Sequence, residues 1–527
     1  MRSSSHVSRC GRPGCSNTPD YLDRYGFIPV KTGTVPQEMP VGFARGEKII
    51  DPTTGATWKN PQTKEIMTSV GLTCAACHTG RMTYNGTALY IDGAPALTDL
   101  GKFTSGLGLS ILFTEYMPFR FKRFAERVLG PDATQAAKDE LLDQLASFLS
   151  QAAAGAKAAA VPGGGSIAEG FGRLDALNRI GNQVFGLDLN MPVNNAAISA
   201  PVHFPRIWDA PWFLWVQYNA SIMQPMVRNA GEALGVRAPV NLSNPTRFLF
   251  QSDVQVETVH KMEELLAGKE QPTAKNEFTG LRSPKWPEDI LGKIDRDLAA
   301  KGAALYKEIC QECHLAPVTS AEFWADKRWL PPDSFGQRYL DLEVIDLPHI
   351  GTDPAQAEDM ATRMVVVPKD LGIKDPRFGF ALGEVVKKTV DFWYDSQIPP
   401  TPDADRERMN GYRKNGIQAP HGYKVRPLNG VWATPPYLHN GSVPTIDLLL
   451  GPAGERPKTF YLGNREYDTE HLGYKFDKLA GGFEFDATMR GNFNTGHEFS
   501  DTKRNGVIGR ALKPDERKAV IEFLKTQ

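Results

Sequence analysis

At 527 residues the chain is long enough for two or three domains. Its 41% hydrophobic and 23% charged residues are ordinary for a globular protein, and a formal net charge of −1 without a basic stripe argues against nucleic acid or an anionic membrane surface as a partner. No run of about 18 apolar residues occurs, so no membrane span is expected. With 49 glycines and 39 prolines the composition favours a mainly α fold, in which long irregular loops join the helices and strands are few and short.

Residues 1–40 are set apart as an N-terminal extension, with disorder one reading of it. It holds Cys10 and Cys15, which are open to a disulfide or to a place in a leader. Met1 to Ser8 lacks the apolar core of a signal peptide. The stretch up to residue 70 is loop-rich, with turn signals at Asp51-Pro52-Thr53-Thr54-Gly55 and Asn60-Pro61. Residues 84–93 suit a short strand pair around Asn85-Gly86. Residues 107–160 are expected to be helical, with Leu141, Leu142, Leu145, Phe148 and Leu149 recurring at three and four. A flexible break follows at Ala158 to Gly165, then a further helix over 168–186. The densest aromatic stretch holds Phe204, Trp208, Trp212, Phe213, Trp215 and Tyr218, interrupted by Asp209-Ala210-Pro211. Residues 255–267 read as a helix and Pro272 to Pro287 as an inter-domain linker. An amphipathic helix over 297–310, and helices over 380–396 and 513–526, complete the chain.

One five-residue unit occurs twice, as Cys74-Ala75-Ala76-Cys77-His78 and Cys310-Gln311-Glu312-Cys313-His314. Both read C-x-x-C-H, the attachment site of a c-type haem. Two thiols three residues apart reach the two vinyl groups on one haem edge, and the adjoining His takes an axial position on the iron. A redox dithiol or half a zinc site also uses C-x-x-C, but each leaves its histidine unexplained. The expected cofactors are two covalently attached haem c groups, held by Cys74, Cys77, Cys310 and Cys313 with His78 and His314 on iron; calcium is left open as a further ion. The division follows: 41–285 as an N-terminal haem domain with helical insertions and 286–527 as a C-terminal one. Small residues beside Tyr306 in the helix entering the second unit let another helix cross closely, as a cytochrome c domain requires.

The second axial ligand decides between electron carriage and ligand binding. Candidates after the second unit are His349, His421, His439, His471, His497 and the methionines 360, 364, 409 and 489. His497 lies in the glycine-rich phrase Gly496-His497-Glu498, and His439 in Pro435-Pro436-Tyr437-Leu438-His439-Asn440-Gly441. Between the units only His203 and His260 occur, which hints at an open position on the first iron. Trp208, Trp212 and Trp215 are candidates for a haem pocket or an electron path, with core packing the alternative for each ring.

With its two C-x-x-C-H units and the phrase Ala433-Thr434-Pro435-Pro436-Tyr437-Leu438-His439-Asn440-Gly441-Ser442-Val443-Pro444-Thr445, the chain resembles the bacterial dihaem cytochrome c peroxidases and MauG-type proteins. Within that group it is most similar to the secreted dihaem rubber oxygenases, through Asp209-Ala210-Pro211-Trp212, Trp215-Val216-Gln217-Tyr218-Asn219, Asn229-Ala230-Gly231-Glu232-Ala233-Leu234-Gly235 and Gly496-His497-Glu498. The resemblance runs from about residue 40 onward. It implies two cytochrome c-like haem domains. His78 would be proximal at a first haem that binds dioxygen in an apolar pocket, His314 and His497 would ligate the second, and His439 would stand beside a haem. Peroxidases of the group place a Met where His497 would act. The catalytic distal Phe of the rubber oxygenases is left unassigned on this chain.

The expected function is oxidative cleavage of an apolar, isoprenoid-like substrate by dioxygen. The alternatives are hydrogen peroxide reduction fed by a small redox-protein donor, and non-catalytic electron carriage. Because bacterial haem c attachment happens outside the cytoplasm, a periplasmic or secreted protein is expected, its leader not present in this sequence.

Overall fold

The strands pair two by two. The structure is a computed structural model describing residues 19–30, 39–48, 50–158, 161, 164–269, 273 and 278–527. Cys10, Cys15, most of the expected N-terminal extension, and parts of the Ala158–Gly165 break and of the 272–287 linker lie outside these residues. Strands β1 (Phe43–Lys48) and β2 (Thr68–Leu72) pair antiparallel, as do β3 (Thr79–Tyr84) and β4 (Thr87–Asp92). Asn85 and Gly86, at φ 47° and 80°, make the tight turn expected between the latter two. Every sheet among the described residues has two strands. With 39% helix and 14% strand the fold is mixed, and richer in small hairpins than a mainly α reading expects.

The expected helical stretch over 107–160 is three helices: α1 (Leu100–Tyr116), α2 (Pro118–Leu129) and α3 (Gln135–Ala158). Pro118 pushes Met117 into the extended region (φ −107°, ψ 106°), and Gly130 at φ 95° ends α2. The helix expected over 168–186 forms only from Ala176. Gly170 and Gly172 take left-handed φ, so Arg173–Leu174 runs extended beside Val202–His203 before an α-helix over Ala176–Gly181 that continues as a π-helix over Asn182–Asp188. Helices α4 (Pro225–Gly235), α5 (Val256–Ala267), α6 (Arg296–Ile309), α7 (Phe378–Ser396) and α8 (Pro514–Lys525) follow; the last four lie within a residue or two of their expected bounds.

α6 leads straight into the second Cys pair and crosses α8 at Gly302. A Cβ there would stand 1.9 Å from the Ala519 carbonyl oxygen, so only glycine permits the approach. Tyr306 and Phe523 close the contact with ring centroids 4.9 Å apart. The largest core joins Met82, Ile91, Ala94 and Leu97 from the first hairpin region to Trp432, Tyr467, Phe499, Val520 and Leu524. A second joins Val184, Phe185, Met226 and Leu234 to Phe378, Val385 and Tyr394. The two halves of the chain therefore share their hydrophobic burial. No helix among the described residues is long and apolar enough to cross a membrane.

Candidate functional site

The first pentad is a tight turn between β2 and β3, in which the Cys74 carbonyl accepts the N–H groups of Cys77 (3.2 Å) and His78 (3.0 Å). The turn sets two free thiols and an imidazole on successive corners. The second pentad does the same with a short helix, its Cys310 carbonyl accepting from His314 N–H at 2.9 Å. In both units the imidazole Nδ1 meets a main-chain carbonyl, Pro205 for His78 (2.9 Å) and Arg426 for His314 (2.7 Å). A carbonyl only accepts, so Nδ1 carries the proton and Nε2 keeps the lone pair that binds a metal. Burial drives His78 down to about 4 and also lowers His314, so both are neutral, the ligating form, near pH 7.

His497 stands opposite His314, with ring centroids 6.2 Å apart and planes at 57°. Iron–imidazole bonds of about 2 Å would put two facing rings roughly 6 Å apart, so the pair has room for one iron between them. Gly496 and His497 are consecutive left-handed residues, at φ 71° and 47°. A Cβ at 496 would lie 2.3 Å from the Ile350 carbonyl oxygen. The conformation is held from outside. Arg456, almost fully buried, donates to the carbonyls of Asn494, Gly496 (2.8 Å) and His497 (3.1 Å). The Asp353 carboxylate accepts from the N–H groups of Gly491 (2.7 Å), Phe493 (3.0 Å) and Ala355 (2.9 Å). His497 Nδ1 is buried with no hydrogen-bond partner, and burial pushes the ring down to about 3.

At His78 the neighbouring ring is Phe204, with centroids 6.4 Å apart. Among the described residues no imidazole is in ring contact with His78 as His497 is with His314; the buried His203, whose Nε2 has no hydrogen-bond partner, lies near enough for its charge and that of His78 to interact. His439 is buried, stacks on Tyr423 (3.9 Å, 23°) and meets Tyr218 edge-on at 6.2 Å. Its carbonyl accepts from His203 N–H at 2.8 Å. The tryptophans separate. Trp208 is fully buried and donates from Nε1 to the Asn429 carbonyl (3.2 Å). Trp212 belongs to an aromatic cluster with Phe278, Phe323, Trp324 and Trp329. Trp215 touches the chain at Gly416, and its carbonyl accepts from Lys424 Nζ (3.0 Å).

Two groups near the pentads escape a sequence reading. Glu232 on α4 accepts from Gln217 Nε2 (3.0 Å); its charge reaches both Cys74 and Cys77, and burial raises its carboxyl above the usual range. Arg206 and Arg426 flank the two carbonyls that hold the histidines, and Lys424 lies near them. Burial lowers the pKa of all three cations, and the acid whose charge opposes them is Asp209.

The donor sets fit covalent haem c. Each unit offers two neutral thiols, Cys77 and Cys310 being pushed up to about 12 by burial, and one imidazole with its metal-binding nitrogen free. The surplus of buried cations suits the haem's propionate carboxylates. Among the described residues no group of three or more His, Cys, Asp or Glu side chains is placed to hold a metal ion.

Residues 422–461, which include Arg426 and His439, match a family model described as RoxA-like, cytochrome c-like. Together with the two C-x-x-C-H units, the match supports a haem c protein with a RoxA-like cytochrome c region at residues 422–461. The uncharacterised protein y4iJ of Sinorhizobium fredii (strain NBRC 101917 / NGR234) is 60% identical over 507 residues, covering 96% of this chain and 84% of that protein. The chain belongs to the y4iJ family. The uncharacterised protein y4iM of the same organism is 30% identical over 271 residues, 48% of this chain and 52% of that protein.

Proposed function

We propose that the protein is an extracytoplasmic dihaem oxidoreductase, periplasmic or secreted, in which the haem on His78 activates dioxygen to cleave an apolar, isoprenoid-like substrate. The two haem units, 41–285 and 286–527, would act as one redox system. The observation that carries the reading is the asymmetry of the two histidines: His314 faces His497 across 6.2 Å, whereas Phe204 is the ring beside His78. An iron with two protein ligands passes electrons, and one with an open position binds a small oxidant. When bound, the haem supplies oxidant binding and one-electron chemistry. The chain's own part would be to fix the tautomers of His78 and His314 through the Pro205 and Arg426 carbonyls, and to hold His497 opposite His314 on the strained 496–497 turn.

Carbon monoxide titration of the reduced holoprotein tests the asymmetry, with about one molecule bound per two haems expected. Incubation with polyisoprene in labelled dioxygen, without peroxide, tests the reaction; oxygen-labelled carbonyl-ended fragments are expected. Absence of fragments, with turnover only on peroxide and a reduced small redox protein, would sink the oxygenase reading. One observation favours that second reading. Peroxide cleavage needs an acid-base group, and Glu232, held by Gln217 and with its pKa raised by burial, is a carboxyl poised near the first Cys pair.

A further inference from the structure

The carbonyls that hold the two axial histidines belong to residues that clasp one another. Pro205, which accepts from His78 Nδ1, is followed by Arg206; Arg426, which accepts from His314 Nδ1, is followed by Pro427. Arg426 Nη2 donates to the Arg206 carbonyl (3.0 Å), and Arg206 Nη2 donates to the Pro427 carbonyl. Two chain segments some two hundred residues apart in sequence are thus tied by a reciprocal pair of guanidinium–carbonyl bonds.

We propose that this Arg206–Arg426 clasp is the junction through which the two haems are electronically coupled, a proposal that rests on the dihaem reading above. Two routes run through it. From His78 each passes the Pro205 carbonyl into Arg206, crosses one arginine–carbonyl bond, and reaches His314 through the Arg426 carbonyl. Each route uses three hydrogen bonds and otherwise only covalent bonds. With haem bound at both units, one electron would pass along these bonds from the His314 side, which is oxidised, to the His78 side, which is reduced; no proton would move and no bond would be made or broken. Trp212 lies in its own aromatic cluster.

The clasp also links the two sites by charge. The Arg426 cation acts on His78, whose own carbonyl bond is to Pro205, and the Arg206 cation acts on His314, whose bond is to Arg426. Both guanidinium Nε atoms are buried without partners, and Asp209 is the carboxylate set against them. Each arginine therefore favours the more negative, reduced state of the iron on the far side as well as its own.

The test uses full-length holoprotein and four variants, Arg206→Gln, Arg206→Lys, Arg426→Lys and Trp212→Phe. Haem is first counted by its pyridine complex; fewer than two haems per chain in the wild type would remove the dihaem reading and the junction with it. With two haems present, potentiometry and the rate of electron transfer after flash photolysis of the carbon monoxide complex are read. Arg206→Gln should lower both reduction potentials and slow transfer about tenfold or more. The lysine variants keep the charge but lose the fork, so they should hold the potentials and still slow transfer. Trp212→Phe should leave the rate unchanged. Wild-type transfer in the lysine variants, or slowing in Trp212→Phe alone, would overturn the proposal. If Arg206→Gln fails to fold, the two lysine variants decide.

Discussion

Replacing Asp353 with alanine should loosen the loop that carries His497 while leaving the first haem site in place. Asp353 is 1% exposed, and one oxygen accepts from Gly491 and Phe493 while the other accepts from Ala355. A hydrogen bond to a charged group is worth about 1.5–3 kcal/mol, and removing the acceptor strands its donors. Three such bonds would suggest considerably more, but they share one carboxylate, and burial raises its pKa in spite of them. The ionised form is therefore costly to bury, and the net loss should be about 3 kcal/mol. Denaturation of the holoprotein followed by far-ultraviolet circular dichroism reads the stability. The low-spin bis-imidazole signal in electron paramagnetic resonance reads the loop. A lower midpoint with a weakened bis-imidazole signal is expected. A variant with wild-type stability and an intact signal would show that Asp353 does not anchor the loop.

Three further outcomes are expected. His497→Ala should abolish the bis-imidazole signal and raise carbon monoxide uptake from about one to about two per chain, read by optical titration. Gly302→Ala should force α6 from the Ala519 carbonyl and destabilise by about 1–3 kcal/mol, measured by denaturant titration; an unchanged midpoint would mean that the helices can part freely. Asp188 is pushed up to about 7 by burial, so its folded pKa lies above the ordinary 3.8. Here the folded state holds the proton more tightly, so stability falls as pH rises between those values. Asp188→Asn keeps an acceptor for Gln183 and should flatten that slope, gaining up to about 4 kcal/mol above pH 7 in denaturation run across pH.

The parts of the site that are legible in the sequence are those fixed over a few residues. Cys74 to His78 and Cys310 to His314 carry their chemistry in spacing, and α6 shows its buried stripe in periodicity. His497 was suggested only by its glycine neighbour and by resemblance, and the structure sets its ring across from His314. Arg206, Arg426, Glu232 and Asp353 gave no local signal, because their roles lie in partners far along the chain. The helix expected over 168–186 lost its first turns in part for the same reason. Arg173 is fully buried and donates to the Glu169 and Pro201 carbonyls and to Asn492 Oδ1, so long-range satisfaction of one guanidinium outweighs local helix preference there.

The shared core dictates an order of assembly. Cys77 is half-buried against the Tyr25–Phe27 cluster and near Thr98, and the hairpin after it packs into a core closed by the last helix of the chain. A thiol whose pKa is pushed up to about 12 by burial is a poor nucleophile for an attaching enzyme. The thioether bonds are therefore expected to form more readily on an open chain, before Trp432 and α8 close over the hairpin. Cofactor loading then becomes a kinetic contest with folding. A substitution that speeds closure of the C-terminal half would lower haem content without touching a single ligand.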